Sequence, residues 1–306
     1  MIRAHVDTFT ENRRLLFSIA YEILGSVADT EDVLHDSYLR WREVDLALIE
    51  NPRAYLAQIV TRQALGVLRA AARRREDYIG QWLPEPLATE ADGGVEHVLA
   101  GEAVSTAMLL VLETLTPVQR AVFVLREVFA FDYPEIAAAV DRSEAAVRQL
   151  NQRARNRVHA ARHTAIATPA QAQAVVEKFS IAAATGDVQA LMDVLAPEVV
   201  FLGDGGGVVN TVRRPVRGQD KVARLVIGLL AKGQRLGVLG AHLGIYNAMP
   251  TILATVDGVL DQVTSIEVTD GLVTAIYSMR NPEKLSAVRI PPLRDTPPLD
   301  PAPSTR

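Results

Sequence analysis

Six arginines and a single glutamate lie between Arg142 and Arg162. Polar residues recur among them at helical spacing. From Ser143 onward, Ala145, Gln149, Gln152 and Asn156 share one face at about 100° per residue, flanked by Arg148, Arg153 and Arg155. Gln and Asn carboxamides pair a donor with an acceptor, which suits base edges, and guanidinium groups hold phosphate or guanine. This is the chemistry of reading DNA. The opposite face carries Val147, Leu150, Ala154 and Val158, spaced three, four and four apart, which predicts one buried stripe. Ser143 caps that helix. Upstream, Asp132 with Glu135 forms a capping box, and Pro134 sits in the first turn, where its missing N–H does no harm. A first helix therefore runs to about Val140, and Asp141-Arg142 makes the turn. That turn often holds Gly; Asp tolerates a left-handed backbone better than most residues. The unit reads as a helix-turn-helix whose recognition helix starts at Ser143. An ordinary helical hairpin with a solvated polar face has the same local pattern, so the rest of the chain must decide.

The chain has 306 residues, long enough for two or three domains, and 49% hydrophobic content supports real cores. The net charge of −4 hides an uneven distribution. Residues 1–168 hold 19 Arg, no Lys and 23 acids, whereas residues 169–306 balance 13 against 13. In the first half the positive charge clusters at Arg62–Arg75 and Arg142–Arg162; clusters of this kind, not net charge, set a DNA footprint. Zero Cys excludes disulfides, thiolate metal sites and Cys nucleophiles. No signal-peptide core and no run of membrane-spanning length is present, so a cytoplasmic protein without membrane attachment is expected.

The elements that must position these groups begin with an all-helical stretch over residues 1–78. Thr10 is the expected cap of a helix through Ile23, and Gly25 ends it. Asp29 is the expected cap of the next, with Val33, Leu34, Ser37, Tyr38 and Trp41 inward and Glu31, Asp32 and Asp36 outward. Asn51-Pro52 opens a third helix whose stripe is Leu56, Ile59, Val60, Ala64 and Val67. Its outer face, Arg62, Gln63, Arg69 and Arg73 to Arg75, contains no acid.

The run DTEDVLHDSYLRWREV followed by NPRAYLAQIVTRQALGVLRAAARRR resembles the sigma-2 domain of extracytoplasmic-function sigma factors. ETLTPVQRAVFVLREVFAFDYPEIAAAVDRSEAAVRQLNQRARNRV resembles their sigma-4 domain. Two motif blocks in the expected order are stronger than either alone. The resemblance implies that Asp29, Glu31, Asp32 and Asp36 bind core RNA polymerase. It implies that Tyr55, Arg62, Gln63, Arg69, Arg73 and Arg74 engage the minus-ten promoter element. Ser143, Ala145, Arg148, Gln149, Gln152, Arg153 and Arg155 would then read the minus-thirty-five element. Residues 79–101, rich in Pro, Gly and acids, read as a linker, and 102–165 as the sigma-4 domain. The linker string Trp82-Leu83-Pro84-Glu85-Pro86 resembles a motif of one subgroup, the one carrying a C-terminal SnoaL-like extension.

Residues 170–285 fit that extension. Ala172–Ala184 and Val188–Leu195 look helical, split at Gly186-Asp187; Glu198–Leu202 reads as a strand; a helix follows from about Gln219 to Leu230. Strands then read over Gly237–Tyr246, Thr251–Thr255, Val259–Val268 and Leu272–Met279, with hairpin turns at Asp257-Gly258 and Asp270-Gly271. The fold class expected is multidomain: two all-α sigma domains followed by an α+β cone, helices on a curved antiparallel sheet. Asp204-Gly205-Gly206-Gly207 and Asn281-Pro282-Glu283-Lys284-Leu285 resemble the subgroup's signatures; the glycines alone would read as a flexible turn. The family usually follows those glycines with a basic residue, and here Val208 stands instead. Residues 286–306, with six prolines from Pro291 to Pro303, read as an extended tail.

Some SnoaL-like proteins are cyclases or isomerases using an Asp/His pair. Asp204, His242, Asp257 and Glu267 are the candidates here, but no spacing marks a triad or a metal site, and fold alone does not give function. The expectation is therefore a non-enzymatic sigma factor, monomeric when free, with no cofactor. Its partners would be core RNA polymerase and promoter DNA, with an unidentified small ligand as a further option in the C-terminal domain. That domain would act in cis through Trp82, Leu83, Pro84, the Asp204 loop and the Asn281 string. The alternatives are a stand-alone helix-turn-helix regulator with a ligand-sensing pocket, and a SnoaL-like enzyme with a helical arm.

Overall fold

The computed structural model describes residues 2–76, 78–89, 104–161 and 167–290. Side chains from 71 to 76 lie outside the described set, as do the linker segment 90–103 and the proline tail from 291; the expectations for Arg73, Arg74 and the tail fall there.

Three helices open the chain: α1 (Ile2–Leu24), α2 (Val27–Trp41) and α3 (Pro52–Glu76). Two boundaries differ from expectation. The first helix starts at Ile2, not at a Thr10 cap, because His5 and Phe9 are buried and extend the apolar face by two turns. The cap of α2 is Ser26, whose hydroxyl accepts from the Asp29 backbone N–H at 3.2 Å, so Asp29 lies within the first turn. There its charge still complements the helix dipole. Trp41 ends α2 fully buried, its indole N–H donating to the His5 carbonyl at 3.0 Å.

Helices α4 (Thr106–Glu113), α5 (Pro117–Phe123), α6 (Tyr133–Val140) and α7 (Glu144–Ala161) follow, with a π turn over Val124–Val128. Thr116 and Gln119 form a capping box on α5. The side chains buried along α1 to α3 and along α4 to α7 belong to one continuous hydrophobic cluster, from Phe9 to Val158. The two helical groups thus share a core.

The C-terminal part consists of α8 (Pro169–Thr185), α9 (Val188–Val194), β1 (Leu195–Asp204), β2 (Val216–Arg217), α10 (Gln219–Gln234), β3 (Leu239–Tyr246), β4 (Met249–Val256), β5 (Val259–Thr269), β6 (Leu272–Met279) and the single turn α11 (Pro282–Leu285). Asp257-Gly258 and Asp270-Gly271 both have positive φ, as hairpins with this hand of twist require. The six-stranded sheet has the order β2-β1-β6-β5-β4-β3 and is open. It corrects the expected antiparallel sheet in one place: β1 and β6 pair in parallel, Phe201 opposite Ile276 and Asp204 opposite Met279. A parallel neighbour needs a long crossover, supplied here by everything between β1 and β6.

The two sheet faces have different covers. Helices α8, α9 and α10 bury Phe179, Leu191, Val222 and Val226 against Val199, Phe201, Ile266 and Ile276. The other face presents Leu253, Val263, Tyr277 and Met279 to Leu83 and Ala88 of the linker and to Ala107 and Leu110 of α4. A small pocket on that side, lined by Leu83, Pro84, Asn247 and Tyr277, has room for about one water.

Candidate functional site: nucleic-acid faces and the linker clamp

Asp141 ends α6 at φ 55° and ψ 58°, a left-handed residue doing what Gly usually does there. The Ser143 hydroxyl accepts from the Ala146 N–H at 3.3 Å and starts α7. Val147, Ala154 and Val158 are buried, while Ala145, Gln149, Gln152, Arg153 and Asn156 are exposed on the outer face. Arg148 and Arg155 are exposed too, but not idle. The Arg148 guanidinium lies 4.2 Å from the Tyr133 ring centroid and 3.5 Å from the Glu144 carboxylate. Arg155 stands 3.9 Å from Glu127. Asn151 shares the helix but is buried, its amide donating to Glu127 at 2.7 Å, so it ties α7 to the π turn and cannot meet a base.

The basic helix α3 has a partner already. Arg62 donates to the Ala138 carbonyl of α6 at 2.8 Å, and Asn51 donates to Glu135 at 3.2 Å. Gln63 is half-buried and Arg69 exposed. Tyr55 is half-buried, its ring 6.1 Å from Trp41, so its flat face is partly spent on the core. On α2, Asp32 and Asp36 are exposed, Asp29 is half-buried, and Glu31 pairs with Arg13 at 2.7 Å.

A second set of contacts gathers around the linker. Asp204, at the end of β1, is 0% exposed. Its carboxylate accepts from the Lys284 ammonium at 2.7 Å, the Leu83 N–H at 2.9 Å, the Gly206 N–H at 3.0 Å and the Tyr78 hydroxyl. Burial, and then the hydrogen bond to Asp204, push the Tyr78 phenol up, so it stays a protonated donor. Lys284 also donates to the Leu83 carbonyl at 2.6 Å and lies 4.3 Å from the Trp82 ring centroid. Asn281 caps α11 through Glu283 and donates to Tyr78 at 3.0 Å. Gly206 has φ 63°, and a Cβ there would stand 2.5 Å from the Asn281 amide, so this position requires Gly twice over. The structure thereby brings together Trp82, Leu83, Asp204, Gly205, Gly206, Asn281, Pro282 and Lys284. Gly207 and Pro84 sit at the margin, beside Ile79 and Gly25. Val208 is exposed, and the Asp204 partner is Lys284, 80 residues on.

From that cluster the linker reaches the helical domains. Trp82 packs on Gly25, where a Cβ would come within 2.7 Å of the indole. The Glu85 N–H donates to the Gly25 carbonyl at 2.9 Å, and the Glu85 carboxylate accepts from the Val27 N–H at 2.7 Å. Three side chains central to these contacts carry no sequence motif. Asn247, in the β3–β4 turn at φ 46°, is 3% exposed. Its carboxamide accepts from Tyr21 of α1 at 2.9 Å and Leu87 at 3.2 Å, and donates to the Glu85 carbonyl at 3.1 Å and Thr106 of α4 at 3.4 Å. Arg120 of α5 is buried and donates to the Ile23 carbonyl at the end of α1 at 2.9 Å. Glu22 of α1 is buried and accepts from the Val104 N–H at 3.1 Å; burial pushes its carboxyl up to about 8. An Asn between two strand-like runs, a residue type that tolerates positive φ, was the one signal available for Asn247; Arg120 and Glu22 gave none.

The residues weighed for catalysis do not converge. Asp204 is engaged as above, and Asp257 accepts from the Val238 N–H at 2.9 Å in a hairpin turn. Glu267 accepts from Tyr277 at 2.7 Å, and His242 lies on edge strand β3.

Comparison with known proteins places this geometry. Residues 8–74 match the model of Sigma-70 region 2, and residues 105–158 that of Sigma-70, region 4. The chain is 40% identical over 294 residues to the ECF RNA polymerase sigma factor SigJ of Mycobacterium tuberculosis, covering 92% of this chain and 93% of the relative. It is 28% identical over 281 residues to a probable ECF RNA polymerase sigma factor, SigI, of the same species, covering 91% and 93%. The crystal structure of Mycobacterium tuberculosis SigJ superimposes with a TM-score of 0.74 at 36% identity, over 92% of this chain and 99% of that one.

Proposed function

This chain belongs to the extracytoplasmic-function sigma factors of RNA polymerase, which direct promoter-specific initiation, and we propose that its C-terminal domain controls it in cis by holding the two DNA-reading domains closed. One observation carries the reading. Arg62, on the helix expected to engage the minus-ten element, donates to the backbone of α6 in the minus-thirty-five reader. The two elements lie about 25 base pairs apart on DNA, roughly 85 Å at 3.4 Å per step. Domains that share one core cannot span that distance.

The clamp supports the reading chemically. The linker is pinned to the α1–α2 corner by Trp82 and Glu85, and to the C-terminal domain by Asp204, Lys284 and Asn247. Opening must break the buried hydrogen bonds that Asp204 and Lys284 make to the Leu83 backbone, so closure is over-determined in the free protein. Core polymerase, docking on Asp32 and Asp36, supplies the competing binding energy. The mechanism is then stepwise: polymerase engages α2, the linker is released, α3 meets the minus-ten strand through phosphate charge and stacking, and α7 enters the major groove. RNA synthesis itself belongs to polymerase, and the protein acts in the cytoplasm. A stand-alone regulator would have no use for a region-2 domain, so the two matched regions argue against it.

The test is transcription in vitro with core polymerase. Full-length protein should initiate from promoters it selects, and truncation after Ala167 should change the output. Equal output from both forms would remove cis control while leaving the sigma assignment intact.

A further inference from the structure

The C-terminal domain carries as many described acids as bases, but they are not mixed. Between Gly205 and Arg235 lie seven Lys and Arg residues and one acid, Asp220. Asp220 is taken by Arg224 at 2.8 Å. Arg213, Arg214, Arg217 and Lys221 are all exposed, and among the described residues none has an ion-pair partner. They sit together where edge strand β2 meets the start of α10. A mixed surface would intersperse both signs; this one leaves four cations unneutralised.

Their place in the fold is more telling than their number. The loop that bears them leaves Asp204, and its Gly207 packs on Ile79, so close that a Cβ would stand 3.1 Å from that side chain. Ile79 follows the end of α3 at Glu76 by three residues. Six residues from Gly207 to Arg213 reach at most about 20 Å. Arg213 therefore lies within about 20 Å of Ile79, just beyond α3. A separation of that size or less is bridged by at most about six phosphates along one strand at 3.4 Å each.

We propose that Arg213, Arg214, Arg217 and Lys221 form a DNA-backbone contact surface on the C-terminal domain. The domain is then a third DNA-binding element of the holoenzyme as well as a clamp. Its contribution is proposed to be independent of base sequence, since a cluster of four unneutralised cations answers phosphate charge.

The experiment uses full-length protein bound to core polymerase, titrated onto a labelled fragment of a promoter the holoenzyme selects, at NaCl from about 50 to 200 mM. Each lost phosphate contact lowers the slope of log K against log salt by about 0.7 on single strands and 0.9 on duplex. Arg213→Ala with Arg214→Ala should reduce the slope by about 1.4 to 1.8. Arg213→Lys with Arg214→Lys should restore it, since phosphate accepts a point charge. Lys232→Ala with Arg235→Ala removes the same charge at the far end of α10, about 20 Å away, and should leave the slope unchanged. An unchanged slope in the Arg213/Arg214 variant overturns the proposal, and so does an equal drop in the distant pair, which would be a bulk charge effect. Weaker binding to core polymerase without DNA also overturns it, by making the surface a protein-docking site.

Discussion

Asp204 is a carboxylate with no access to water and a single full charge to answer it, Lys284. Such a pair is weak evidence of stability as a whole, yet removing one partner leaves a buried charge uncompensated. Lys284→Ala should destabilise the protein by ~3–5 kcal/mol in chemical denaturation, whereas Lys284→Met combined with Asp204→Asn should recover part of the loss. Additive losses would mean the two groups are not coupled. Glu22 behaves in the opposite sense. Its folded carboxyl titrates near 8, above the ordinary 4.5, so the folded state holds the proton over that window and the unfolded state does not. The stability Glu22 permits is therefore complete at low pH and is lost as pH rises towards and through about 8. Melting temperatures of the native protein should fall relative to Glu22→Gln between roughly pH 5 and pH 9. A constant difference over that range would show that Glu22 is solvated. The Val104 N–H favours the carboxylate, so the alkaline loss comes from burial of the charge and not from that bond.

At the scale of elements, α7 is two-sided. Val147, Ala154 and Val158 hold it to the core, and exposed Gln149 and Arg148 face outward. Replacing Gln149 with Ala should lower discrimination at the minus-thirty-five element by ~1–3 kcal/mol if it reads a base; uniform weakening on all sequences would assign it to phosphate. Arg148 starts from a different position, since it would have to leave the Tyr133 ring to reach DNA. The linker answers to Trp82. Trp82→Ala removes the indole from between Gly25 and Lys284, and limited proteolysis should then cut faster across 78–89. An unaltered cleavage rate would mean that the backbone bonds at Glu85 and Leu87 suffice. Much of this was legible in the chain because it is local. The α6–turn–α7 unit, the Asp-Gly hairpins and the α10 start depend on caps, positive-φ residues and period. The α2 cap was misread because Ser26 and Asp29 are both acceptable caps, and only backbone geometry chooses between them.

The whole molecule is closed, and the chain's lack of cysteine allows that to be tested cleanly. Gln58 of α3 lies within 3.4 Å of the Ala138 carbonyl of α6. Gln58→Cys with Ala138→Cys, bridged by a short cleavable bismaleimide, should abolish promoter-directed initiation, and cleaving the bridge should restore it. Activity in the bridged form would mean the domains need not part. What the sequence by itself determined is each domain's type and order, and the residue types on each face. Those follow from side-chain period, capping and motif spacing, all carried within some 20 neighbouring residues. Tertiary structure alone decided that β1 runs parallel to β6, that Lys284 is the answer to Asp204, and that Asn247, Arg120 and Glu22 join domains. These contacts link residues some 75 to 226 positions apart. A buried polar group must find its partner wherever the fold brings one, and no local pattern records where that is.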